Sequence, residues 1–153
     1  ARRVGNTYIQ HLWTVDTRNP ETKDINGYLI NLVNPNLGEE FEIGQVYITF
    51  CTAQSVKGPH MHYGNKTDRF YCIGGRVVVI CRNEQAQEIK EYILHAYDTQ
   101  LLIIPPYNSH AFIALDNQAA AILSIPTEGY NPKETYNQIE TQYKDYDFKK
   151  WTK

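Results

Sequence analysis

The stretch Phe70-Tyr71-Cys72-Ile73-Gly74-Gly75-Arg76-Val77-Val78-Val79-Ile80-Cys81-Arg82 decides the fold class. Two apolar runs, residues 70–73 and 77–82, flank a pair of glycines. Branched side chains fit a pleated surface better than a helix, so both runs read as strands. Gly74-Gly75 between them is a tight hairpin signal, because hairpin turns need positive φ. Residues 77–82 run apolar without alternation up to Arg82, which marks a strand buried on both faces.

The same grammar extends in both directions. Residues 8–15, 28–33 and 45–51 read as strands before the hairpin, and residues 92–95, 101–104, 111–115 and 119–125 after it. In 45–51, Val46, Ile48 and Phe50 fall on one face and Tyr47, Thr49 and Cys51 on the other. Asp116-Asn117 is a turn, and Pro105-Pro106 interrupts any strand there. Turn signals at a spacing of about 8–12 residues imply an all-β sandwich or barrel. After Pro132 the chain turns polar, and Tyr136, Ile139 and Tyr143 recur at helical spacing. A short helix or ordered tail is expected over residues 133–153, and one domain over residues 1–153.

Composition narrows the function classes. The 153 residues carry a formal net charge of −2, and hydrophobic residues make up 42%. No basic field exists to attract nucleic acid or an anionic membrane surface. Cys51, Cys72 and Cys81 are odd in number and lie in apolar runs. Reduced, buried thiols suit a cytoplasmic location. Ala1-Arg2-Arg3 is too short and polar for a targeting segment, and no apolar run approaches membrane-spanning length.

Three of the five histidines stand in suggestive places. His60-Met61-His62 puts two imidazoles on one face of a strand. His110 opens a later strand after the Pro105-Pro106 turn, which returns the chain toward earlier strands. Three readings are open. The three imidazoles bind a divalent metal, with Asp68 as a fourth ligand. One of them is a general base near neutral pH. Or they are barrel histidines bonded within the wall. His11 and His95 have no such company.

Lys57-Gly58-Pro59-His60-Met61-His62, followed by residues 67–75, resembles the first cupin motif, and residues 104–112 resemble the second. Pro126-Thr127-Glu128-Gly129-Tyr130-Asn131-Pro132 resembles the T-x-x-Y-x-P segment of dTDP-4-dehydrorhamnose 3,5-epimerases. Gly44-Gln45-Val46-Tyr47 also fits. The chain is similar to short members of that family in polysaccharide synthesis, over about residues 24–132.

The resemblance implies a β-jelly-roll (double-stranded β-helix) cupin barrel, a homodimer, and a reaction without metal or organic cofactor. The substrate class it implies is a nucleotide diphosphate sugar, dTDP-linked, with a 4-keto-6-deoxy ring inverted at C3, C5 or both. It assigns His60 as base, Tyr130 as acid and His110 to the pocket wall. The C-terminal carboxylate that orients the base falls nearest to Asp145. Gln45, Lys57, His62, Asp68 and Arg69 are expected to contact substrate. The pattern departs from the family at Lys57, where an Arg is usual, and at Asn26, where an Arg helps hold the nucleotide. No Lys stands where the family polarises the ketone; Asp68 and Arg69 occupy the region.

The chemistry suits these residue types. Loss of a proton beside a ketone gives an enolate, so a base must reach that carbon and an acid must deliver a proton to the other face. Phenol, with a pKa near 10, keeps its proton until the enolate needs it. Three rivals compete: a nucleotide-sugar 3,4-ketoisomerase, favoured by His62; a metal-dependent cupin with His60, His62 and His110 as ligands; and a non-catalytic sugar-binding cupin.

Overall fold

A computed structural model describes residues 3–37, 42–62, 64–133 and 138–152. Among them it forms twelve strands: β1 (Tyr8–His11), β2 (Thr14–Arg18), β3 (Ile25–Ile30), β4 (Tyr47–Cys51), β5 (Val56–His62), β6 (Asp68–Gly74), β7 (Arg76–Asn83), β8 (Glu88–His95), β9 (Gln100–Ile104), β10 (Asn108–Ala114), β11 (Ala120–Ser124) and β12 (Gln138–Glu140). Two antiparallel sheets, ordered β1-β9-β6-β11-β4 and β12-β5-β10-β7-β8, face each other, and β2-β3 forms a separate hairpin. This is the jelly-roll arrangement expected. No helix among the described residues is long and apolar enough to cross a membrane.

The core lies between the two sheets. Phe70, Cys72, Val77, Val79, Cys81, Leu102, Ile104, Phe112 and Ile122 form one buried cluster there. Each large apolar side chain buried this way stabilises the fold by about 1.5–3 kcal/mol. Gly75, at φ +67°, closes the β6–β7 hairpin. A Cβ there would stand 2.5 Å from the Ala119 carbonyl oxygen, so only glycine fits.

The structure refines three of these readings. Residues 8–15 are two strands, because Leu12 turns into a buried cluster while Trp13 stays exposed. Of the two forms expected for the tail, a short helix or an ordered tail, the described residues take the second. Its β12 adds to the edge of β5, whose backbone groups need partners, and a 3-10 turn follows at Phe148–Trp151. Tyr136 lies outside the described residues. Tyr143, Tyr146, Phe148 and Trp151 pack over Val78, Ile80, Ile113 and Leu115, on the outer face of β7 and β10. That cover is why the 77–82 run is apolar on both faces. On β4 the alternation is real, but Val46, Ile48 and Phe50 face outward, at 57%, 49% and 71% exposure.

Ile122 is fully buried between the sheets. Ile122→Ala should lower the unfolding free energy by about 2–5 kcal/mol, read from urea titration. A loss below about 1 kcal/mol would mean that the inner cluster does not carry the fold.

Candidate functional site

β10 runs between β5 and β7, and this order brings the three histidines together. His110 stands opposite His60 on one side and Cys81 on the other. The His60 and His110 rings meet edge to face with centroids 5.3 Å apart, and His62 lies 5.7 Å from His110. His110 is buried, with Phe70 at 5.2 Å and Phe112 at 5.4 Å. Burial pushes its pKa well below the ordinary imidazole value, and the neighbouring imidazoles push the same way. His110 Nδ1 has no hydrogen-bond partner among the described residues.

Asp68 opens β6 at the same end of the barrel. It is 3% exposed, and its Oδ2 lies 3.5 Å from His62 Nε2. Its Oδ1 has no partner among the described residues. Burial lifts its pKa to about 6, against the opposing charges of Lys66 and Arg69. The ligand atoms of His62, Asp68 and His110 all fall within 4.8 Å of one another. Such a two-imidazole, one-carboxylate set can hold a divalent cation. Of the metal ligands expected from sequence, His60, His62 and His110 with Asp68 as a fourth, the tightest group holds His62, Asp68 and His110 and leaves out His60.

Tyr47 is not among the site residues expected from sequence. It stands at the start of β4, in phase with the inward Cys51 and opposite Ser124. Burial raises its phenol pKa, and the charge of Asp68 adds to the effect. The signal was present in the alternation of residues 45–51, which sets Tyr47 on the face opposite Phe50.

The other expected site residues are spread more widely. Tyr130 follows β11 at the histidine end and is 63% exposed. Its backbone N–H donates to Gln45 Oε1 at 2.8 Å. Lys57 is exposed on β5 opposite Phe112, and its charge acts on Cys51, toward the far end of β4. Arg69 points out of the barrel wall. It is 4% exposed, donating Nε to the Ile125 carbonyl at 2.7 Å and Nη2 to the Glu42 carbonyl at 2.6 Å. Asp145 is exposed, with φ 65°, between Tyr143 and Tyr146 on the outer face of the second sheet. The sheet separates that face from the histidines, and no hydrogen bond or ion pair joins Asp145 to them among the described residues. The backbone of Glu140, in β12, stands opposite His60 instead.

Solved structures with the same fold support this architecture. A dTDP sugar isomerase from Desulfovibrio desulfuricans G20 superposes with a TM-score of 0.74, at 14% identity over 95% of this chain and 92% of that one. A dTDP-4-dehydrorhamnose 3,5-epimerase from Elizabethkingia anophelis NUHP1 gives 0.72, at 18% identity over 97% and 84%. A 3'-monoepimerase from Streptomyces bikiniensis, in complex with dTDP-quinovose, gives 0.69, at 13% identity over 90% and 70%. A search of curated proteins finds no match. The model of the polysaccharide biosynthesis C-terminal domain matches residues 9–136, and on that match the chain belongs to this family.

Proposed function

We propose that this chain is a nucleotide-sugar epimerase that inverts C3, C5 or both of a 4-keto-6-deoxy ring. The observation that carries the reading is the convergence of His60, His62 and His110 at one end of the barrel; the loop that leads to Tyr130 supports it, since Thr127 bonds Thr67, next to Asp68. The folds of a dTDP sugar isomerase and two epimerases support the substrate class, a nucleotide diphosphate sugar, dTDP-linked.

His60 takes the proton from the carbon beside the ketone, and the electron pair moves into the carbonyl as an enolate. Tyr130 delivers a proton to the opposite face of that carbon, and the ring leaves inverted. The proton on His60 passes to solvent, and solvent restores the phenol, so the reaction is an isomerisation without net proton change. Donors beside the enolate oxygen stabilise its charge; we assign this work to His62, whose ring centroid lies 5.7 Å from that of His110.

A second reading is favoured by Asp68 Oδ1 and His110 Nδ1, two buried polar atoms without partners among the described residues. Buried polar atoms in a folded protein are almost always satisfied. A divalent cation held by His62, Asp68 and His110, whose ligand atoms lie within 4.8 Å of one another, would give these two residues the partner they lack. It would also polarise the ketone oxygen where the family Lys is absent.

We further read the chain as a cytoplasmic homodimer. Its three cysteines are buried and unpaired, as suits a reducing compartment. Val46, Ile48 and Phe50 make an outward apolar stripe, and exposed apolar patches of this kind mark interaction surfaces.

With a 4-keto-6-deoxy dTDP-sugar in heavy water, NMR should show one deuterium at each inverted carbon. His60→Ala and Tyr130→Phe should each cut inversion by about 10²–10⁴-fold while dTDP binding persists. Full exchange in His60→Ala would remove the base assignment. A ketone moved to C3 would point to the ketoisomerase, and no deuterium at all would point to a binding protein.

Elemental analysis of purified protein tests the second reading. It expects one equivalent of divalent metal that disappears in Asp68→Ala. Metal-free protein that retains full exchange, unchanged on adding zinc or iron, would rule the cation out.

A further inference from the structure

An exposed phenol has little packing to hold it, yet an acid must meet its carbon within a fraction of an ångström to be effective. The backbone that carries Tyr130 supplies the rigidity instead. Residues 125–130 are zipped against residues 42–45 and 67–69. Gly44 N–H donates to the Pro126 carbonyl at 2.9 Å, and Thr127 N–H to the Thr67 carbonyl at 3.0 Å. Thr67 N–H returns a bond to Thr127 Oγ1 at 2.9 Å. The buried Arg69 guanidinium grips the Ile125 and Glu42 carbonyls from behind. At Gly44 the two segments touch so closely that a Cβ would lie 2.4 Å from the Glu128 Cα.

The last tie is a side chain. Gln45 Oε1 accepts from the Tyr130 N–H at 2.8 Å. A backbone N–H only donates, so the amide of Gln45 must present its oxygen here. We infer that Gln45 is a positioning residue for Tyr130, and that Arg69 braces the same loop rather than binding the diphosphate. Arg69 is 4% exposed, and its Nε and Nη2 already donate to the Ile125 and Glu42 carbonyls on the outer side of β6. The inference rests on the reading of Tyr130 as the proton donor.

Two substitutions at one position separate positioning from substrate reading. Gln45→Glu keeps an acceptor oxygen and loses the NH2 donor; Gln45→Leu loses both. Incorporated 3-fluorotyrosine gives Tyr130 a 19F NMR signal, assigned by its loss in Tyr130→Phe. In ligand-free protein, Gln45→Leu should shift or broaden that signal and Gln45→Glu should leave it in place. With substrate in heavy water, Gln45→Leu should lower inversion by about tenfold or more while His60-driven exchange with retention continues. Gln45→Glu should retain clearly more inversion than Gln45→Leu, because it keeps the acceptor for the Tyr130 N–H. An unmoved 19F signal in Gln45→Leu, or a Gln45→Glu variant as defective as Gln45→Leu, would overturn the inference. If the parent protein turns over no sugar, the epimerase reading falls, while the 19F result still decides whether Gln45 holds the loop.

Discussion

Everything at the candidate site depends on β10 being hydrogen-bonded on both sides. β5 on one flank and β7 on the other fix its register, and the register sets His110 against His60. A slip of one residue would turn His110 outward, because side chains alternate across a strand. Apolar packing on both faces of β10 resists such a slip. Phe112 lies within the inner cluster, and Ile113 lies under Tyr143 and its aromatic neighbours outside. The polar pocket is thus a small exception built into the end of an apolar wall.

That exception has a chemical character of its own. His110 is held neutral by burial, and Asp68 is lifted toward neutrality by the same cause. Low dielectric strengthens any interaction with a bound anion or cation. His60 and His62 are less buried and stand closer to solvent. A base that exchanges its proton with water needs this placement. The same end of the barrel offers two phenols of different kind: Tyr47 is half-buried near Asp68, while Tyr130 is exposed on a braced loop.

Much of this was legible in the sequence. The Gly74-Gly75 hairpin and the β-branched run after it announced two buried strands. The H-x-H period placed His60 and His62 on one face. What spacing could not supply was the register between distant strands, which decides that Asp68 meets His62. Arg69 illustrates the same limit. Adjacent to Asp68 in sequence, it falls on the opposite face of β6 and bonds main-chain carbonyls there. The spacing in the tail misled for a related reason. Tyr136, Ile139 and Tyr143 have helical spacing, but the unpaired edge of β5 draws residues 138–140 into a strand. Tyr143 then packs on the outer face of the sheet, and Asp145 goes with it.

The central claim is that the histidine end of the barrel is where the nucleotide sugar sits. Imidazole NMR during titration with a dTDP-sugar tests it directly, because His11 and His95 stand at the opposite ends of their strands and serve as internal controls. The account predicts that the His60, His62 and His110 resonances move together while His11 and His95 stay still. Saturable binding that leaves those three unmoved, or that shifts His11 or His95 instead, would contradict it.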